Sequence, residues 1–435
     1  MQPPNLPSTR KLLAAVLLLY FGRLLYKLAR WVHHVLISVD ESKKVHHNCI
    51  PAADYKPTAV QQESLQLVKQ HYPELLPLVE SGILVAVQPA KMLAGRMQKQ
   101  QAGAAAAVAG EQQAQQEGAA QADATEGPPG TADLHAQLVE SPALHNLLVN
   151  KLPELLFIIG TVHVSKQSAE QVKQVLRALN PSLVVLELCQ ARIQAMLVEP
   201  YRDPLHDLEP CPDKMAAAAA LKQRSTAEIL SAALKSRDHN VLSAMMGGMY
   251  SQLEDKLEVR AGCEFIAARA TLIEMLQEQQ QLQQQQQPAH EAVWVERCVA
   301  GDRELLDTLL GLWGSLKPWR RLKFIWDLLT ALVCGISEDD IKSLAEADMV
   351  ELLLTEFAQE YPEVMRPLLH DRNWVLATNT LQAAQISAHN ALGSPVVAIV
   401  GKGHIPGMVY VIESVVNVFA QAHGSGMQLE ATAAE

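Results

Sequence analysis

The chain has 435 residues, 49% of them apolar and only 5% aromatic, and 47 acidic side chains outnumber 36 basic ones to leave a formal charge of −11. That length suits one large domain with an added segment. The acidic balance excludes the basic face of an ordinary nucleic-acid binder, and so few aromatics leave no base-stacking platform. Six cysteines (Cys49, Cys189, Cys211, Cys263, Cys298 and Cys334) form no C-x-x-C pair. Their long, irregular gaps point to isolated reduced thiols in a cytosol-facing protein, not to a disulfide framework or zinc knuckle.

Residues 1–45 set the amino terminus apart. Leu12–Gly22 is apolar but too short to span a bilayer. Arg23, Lys27 and Arg30 follow on one helical face, with Leu24, Leu28, Trp31 and Val35 largely on the other. Two readings fit: a membrane anchor or targeting segment lying in the interface, or an amphipathic helix packed on the protein's own body. No acidic residue precedes Asp40, which suits organelle targeting.

Residues 46–97 lead into the core, with a helix over 60–82 and a short strand at Leu84–Val87. From 98 to 130 the composition collapses to Gln, Ala and Gly, a low-complexity linker that reads as disordered or loosely helical. Residues 131–422 are the expected main domain. A second Gln tract at 277–287 is expected on a surface loop, and 423–435 reads as a disordered tail.

Inside that domain, Leu155–Ile159 is an apolar run ending in Gly-Thr-Val-His at 160–163. A helix-length segment, Lys166 to Leu179, follows. Asn180-Pro181 then breaks the chain, and Leu183–Leu186 ends in Glu187. Two buried-type strands joined by an amphipathic helix predict a right-handed βαβ unit. The central block, Tyr201 to Leu276, reads as helical, with Met245–Met249 as packing filler and a helix beginning at Cys263. Gly311–Gly335 reads as a buried helix with a solvated basic turn at Lys317–Lys323, or as an amphipathic helix partly exposed to a membrane or partner. Glu338–Gln359 and Pro362–Asn390 are two further helices. Pro395–Val400 is another apolar strand, ending in Gly401-Lys402-Gly403-His404, with a helix behind it to about Val418.

Gly-x-x-His therefore occurs twice, each time directly after a hydrophobic strand. Ligands of open parallel sheets sit at the carboxyl ends of the strands. Glycine at such a junction lets a short loop aim an imidazole across those ends. If the strands are neighbours, His163, Glu187 and His404 converge. Two imidazoles and a carboxylate suit a catalytic metal with open positions, and equally metal-free acid–base work. The blander alternative is a pair of histidines capping loop carbonyls and a Glu187 paired with Arg192, a little over one turn on. Further charged residues fall in apolar contexts: Glu264, Asp302, Arg303 and Arg372. They suit either anion binding or ordinary ion pairing.

The stretches IIGTVHVSKQS, VVLELCQARIQAML and AIVGKGHIPGM resemble the TraB-domain family, over roughly residues 153–412. AGCEFIAARA is similar to the family's Gly-x-Glu segment and places Glu264. GDRELLDTLLGLWGSLKPWRRLKFIW is similar to its Asp-Arg segment and places Asp302, Arg303 and Thr308. LLHDRNWVLAT is similar to its Glu-Arg-Asp segment and places Arg372. Asp371 and Asn373 stand where the family usually carries an acid pair, and Gly311 where a basic residue is common. Through the two G-x-x-H motifs and a glutamate the family itself resembles Tiki metalloproteases and erythromycin-esterase-like proteins.

The resemblance implies an α/β fold, a mixed or parallel sheet with extensive helical insertions, behind an N-terminal amphipathic or membrane helix. It implies a metal-dependent hydrolase acting on peptides, with a divalent ion (Zn, Mn or Co) on His163, Glu187 and His404. Gly160, Gly401, Gly403, Arg192, Glu264, Asp302, Arg303 and Arg372 would support the site or hold substrate. It places the protein at the mitochondrial outer membrane facing the cytosol, or at another organelle membrane, against that surface or a membrane-anchored protein. The rival expectation is a non-catalytic scaffold or receptor that keeps a vestigial site.

Overall fold

Strand β1 (Leu84–Val87) runs antiparallel to β2 (Leu156–Thr161) at one edge of a five-stranded sheet of order β1-β2-β5-β3-β4. Strands β3 (Leu183–Leu186), β4 (Cys298–Ala300) and β5 (Val396–Gly401) are parallel to β2 and to one another. The computed structural model describes residues 55–114, 147, 150–163, 165–198, 262–283, 297–321, 323–324, 326–327, 358–390 and 394–424. The expectations for residues 1–45, Met245–Met249, 338–357 and 425–435 lie outside the described residues, as does most of the block from Tyr201 to Leu276.

In chain order the helices are α1 (Thr58–His71), α2 (Leu76–Glu80), α3 (Pro89–Ala114), α4 (Lys166–Leu179), α5 (Gln190–Val198), α6 (Cys263–Gln283), α7 (Leu305–Ser315), α8 (Pro362–Met365), α9 (Asp371–His389) and α10 (Ile405–Gly424).

The three central strands are apolar without alternation because both faces are covered. Leu156, Ile158, Val185, Ala398 and Val400 face one core layer with α9 and α10. Phe157, Ile159, Val184, Leu186, Val397 and Ile399 face the other, with α4 and α6. Helix α4 shows how sequence fixes the crossover. Ser165 caps it by accepting from the Ser168 N–H, Ala169, Val172, Val175, Leu176 and Leu179 line its buried side, and Asn180 closes it at φ 40°. The expected βαβ unit is present, with β5 inserted between its strands, so that β2 and β3 are not neighbours.

Several elements depart from the sequence reading. β4 has no counterpart in it. The Gln tract does not begin a loop at 277, because α6 continues to Gln283; Gln and Leu are good helix formers. Of the two expectations for the low-complexity segment, disordered or loosely helical, α3 meets the second as far as Ala114. The run from 311 is broken at Leu316, whose backbone is extended (φ −77°, ψ 132°), before helix resumes at 318. The expected helix from Pro362 is interrupted by one wide π turn, Arg366–His370.

Among the described residues only the segment Lys402–Ala422 is long and apolar enough to cross a membrane, and 72% of its window is buried within the fold. Its apolarity is accounted for by Met408, Val409, Val411, Ile412, Val415 and Phe419, which fill the core beneath the sheet.

Candidate functional site

Strand register brings the three site residues to one place. Ile159 and Leu186 both align with Ile399, and Thr161 aligns with Gly401, so β2, β3 and β5 end almost level. His163, Glu187 and His404 follow those ends directly. Glu187 enters as the ladder closes, its N–H donating to the Ile399 carbonyl at 3.0 Å.

Glu187 is the hub. Its side chain is 4% exposed. Oε1 lies 3.2 Å from His404 Nε2 and accepts a short hydrogen bond from Arg372 Nη2. Oε2 accepts the Gly401 N–H at 2.5 Å and lies 3.8 Å from His163 Nε2. Both imidazoles are tied on the far side. His163 Nδ1 meets Glu264 Oε1 at 2.5 Å, and His404 Nδ1 meets Asn373 Oδ1 at 2.6 Å. Arg372 is braced in turn by Asp302, with Nη2 donating to Oδ2 at 2.8 Å and Nε to the same carboxylate at 3.1 Å. His404 is buried beside Glu187, whereas 35% of the His163 side chain is exposed, so the cluster opens on the His163 side.

The protonation pattern follows from these partners. Burial works to lower the His163 pKa, but the Glu264 hydrogen bond and the charge of Glu187 outweigh it and raise the pKa from 6.5 to about 9. Burial works to raise Glu187, yet His404, Arg372 and His163 hold it well below the usual carboxylate range. Arg372, sheltered between Glu187 and Asp302, is pushed further up and stays charged.

The glycines act through space more than through unusual angles. Gly401 has φ −60° and ψ 140°, open to any residue. A Cβ there would stand 3.2 Å from His163 Nε2 and 3.3 Å from Glu187 Oε2, filling the gap between them. At Gly160 a Cβ would meet Ile405 Cδ1 at 2.6 Å and the Lys402 Cα at 2.9 Å, so its absence lets the His404 turn sit down on β2. Gly403 lies within that turn, Lys402–His404.

Of the anticipated residues, His163, Glu187, His404, Glu264, Asp302 and Arg372 form one contiguous network. Arg303 is one step removed: Nε donates to Thr308 at 2.9 Å, Nη2 to the Pro367 carbonyl at 2.6 Å, and Nη1 lies 3.7 Å from Asp371. Arg192 is corrected. It lies exposed in the first turn of α5, and the guanidinium on Glu187 belongs to Arg372. Asn373, named from the sequence only as a departure from the family's acid pair and not as a site residue, holds His404. Its position directly after Arg372, where the family usually carries an acid, is the available signal.

A profile of the TraB/PrgY/gumN family matches residues 148–417, more than half of the chain. The chain belongs to this family. Proteins named TraB domain-containing protein from Bos taurus, Mus musculus and Homo sapiens are 25%, 24% and 24% identical to it over 267 residues, which is 58% of this chain. The match spans 61% of each of those relatives. The TraB match takes in β2 through β5 and hence every residue of the cluster; β1 and α1 to α3 precede it.

Proposed function

We propose that this TraB protein is a metal-dependent hydrolase of peptide bonds working at an organelle membrane surface, with His163, Glu187 and His404 as its centre. The observation that carries the reading is the direction of the two imidazoles. Each Nδ1 is held by an outward acceptor, Glu264 or Asn373, and each Nε2 faces the same carboxylate. An imidazole anchored through Nδ1–H keeps its lone pair on Nε2, and lone pairs aimed at a carboxylate repel unless a proton or a cation stands between.

Three further features support a cation there. Formally, Glu187, Glu264 and Asp302 contribute three negative charges against Arg372 and a protonated His163; a divalent ion that displaced the His163 Nε2 proton would meet the remaining two negative charges. The gap above Gly401 lies between His163 Nε2 and Glu187 Oε2. Behind His163, on its Nδ1 side, Glu264 Oε2 is buried with no hydrogen-bond partner among the described residues, so the Glu264 charge is met through His163 and whatever His163 binds. Among the described residues no group of three His, Cys, Asp or Glu side chains is already drawn together as a ready metal cage, and Glu187 is engaged by Arg372 and the Gly401 N–H. The donor types suit Zn, Mn or Co. When bound, such an ion supplies Lewis acidity and a water of lowered pKa.

The protein's own groups do the rest. Arg372, braced by Asp302, fixes the Glu187 carboxylate. Glu264 and Asn373 fix the two rings. His163, on the open side, is where substrate meets the cluster. The peptide class rests on the resemblance of the paired G-x-x-H motifs to metalloproteases, and the membrane surface on the basic amphipathic segment at 11–39.

The test is metal content and peptide hydrolysis by the full chain after stripping and reloading with Zn, Mn or Co. His163→Ala and His404→Ala should each lose the ion and lower hydrolysis by roughly 100-fold or more. Folded protein that takes up no divalent ion would sink the reading. A function that survives the double histidine variant but is lost on deleting residues 1–45 would mark a membrane scaffold instead.

A further inference from the structure

Beyond α7 the chain reads KPWRRLKFIWD over 317–327, with helix at 318–321, 323–324 and 326–327. Phe324 is buried in a satellite core with Leu312, Leu316, Tyr361 and Val364. Trp319 and Trp326, seven residues apart, share a different face, about 10 Å apart along the axis. They are 61% and 70% exposed, and with Ile386 they are the exposed large hydrophobics among the described residues. By contrast Trp313 and Trp374 are buried.

The charge around the two indoles has the opposite sign to the chain. Lys317, Arg320, Arg321 and Lys323 stand against Asp327 within the segment and against Glu360 and Glu363 packed beside it, which leaves a local formal charge of +1 in a protein whose formal charge is −11. Arg320 lies over the Trp319 ring at 5.2 Å and Arg321 over Trp313 at 5.4 Å. Glu363 and Glu360 hold Arg320 and Lys323 beside the indoles, with Arg320 Nη1 3.2 Å from Glu363.

We propose that residues 317–327 form a lipid-contacting surface of the folded body, the two indoles entering the interface of a bilayer bearing anionic headgroups. Indole suits that depth, being apolar in body and polar at its N–H, and neighbouring Lys and Arg extend to the phosphates. A single helix face of two rings rimmed by long cations fits a headgroup layer, where a protein partner would ask for a groove or a set of satisfied polar contacts. This deepens the membrane part of the reading above and does not depend on hydrolysis. It also links to the centre: Arg303 bonds Thr308 of α7 and the Pro367 carbonyl of the π turn that leads into Arg372.

The experiment uses the full chain with vesicles of phosphatidylcholine and phosphatidylserine, a fraction of the phosphatidylcholine being brominated to quench tryptophan. Six tryptophans report, Trp31 among them. Trp319→Phe with Trp326→Phe keeps apolar rings and removes the reporters; vesicle binding should persist while most of the quenching disappears. Trp319→Glu with Trp326→Glu should weaken vesicle binding roughly tenfold or more and leave the solution circular dichroism unchanged, since both side chains lie outside the core. Quenching undiminished in the Phe variant would assign lipid contact to other tryptophans, Trp31 or Trp294, and overturn the proposal. A full chain that binds neither these vesicles nor phosphatidylcholine alone would overturn both membrane claims. Peptide hydrolysis in solution, measured in parallel, reports separately on the metal centre.

Discussion

Glu187 shows what burial demands of one carboxylate. At 4% exposure it has exchanged water for Arg372, the Gly401 N–H and two imidazoles. Removing one member of such a network leaves an uncompensated charge. Arg372→Ala strands both Glu187 and Asp302, and equilibrium denaturation should show a loss of about 3–5 kcal/mol. Arg372→Lys keeps the charge but cannot reach both carboxylates with a planar fork, so it should recover only part of that loss. Gly401→Ala is the complementary variant. Its backbone angles tolerate alanine, but the methyl group would stand 3.2 Å from His163 Nε2 and 3.3 Å from Glu187 Oε2, so the half-exposed His163 ring must give by a few tenths of an ångström to keep the fold near parental stability. Metal uptake by calorimetry should therefore fall while the denaturation midpoint stays near that of the parent. At Gly407 an added methyl would overlap the Asn373 side chain that holds His404. Gly407→Ala should cost about 1–3 kcal/mol in the same denaturation assay.

At the level of elements, β2 and the turn into α10 are packed with no spare room. Gly160→Ala pushes on the Ile405 side chain and on the Lys402 backbone. It should lower stability by about 1–3 kcal/mol. Adding Ile405→Val should restore only part of it, because the Lys402 backbone cannot be trimmed away; thermal melts of the single and double variants check this. The strands themselves are legible in the sequence. Buried parallel strands are continuous apolar runs, and both G-x-x-H turns and Glu187 fall where those runs stop. β4 is not legible, because three half-buried residues carry no periodicity. The mate of Glu187 is not legible either: nearness in sequence favours Arg192, whereas α5 turns that side chain outward and α9 delivers Arg372 from far along the chain. Asn373 and the π turn before it are tertiary facts. One wide turn sets the rotation at which α9 begins, and nothing in local composition announces it.

Over the whole molecule the cluster makes stability depend on pH from two sides. His163 has its pKa raised from 6.5 to about 9, so its contribution is complete below about 6.5 and is lost as pH rises through about 9. Glu187 has its pKa lowered below 4.5, so its contribution is complete above about 4.5 and is lost as pH falls through its depressed value. Both are fully present only between about pH 4.5 and 6.5. The melting temperature of metal-free protein should be highest in that window, and His163→Ala should flatten the alkaline limb.

The position of β5 bears on how the protein is made. Among the described residues it is the last strand in sequence and the middle one of the sheet, hydrogen-bonded to β2 on one side and β3 on the other. A nascent polypeptide leaving the ribosome therefore carries two sticky strand edges for most of its synthesis, with nothing to join them until Val396–Gly401 emerges. Translation halted anywhere before that point yields no half-built sheet that can close on itself. Such fragments should be digested by protease at low dose and held by chaperones, and the emergence of β5 is the event that permits closure.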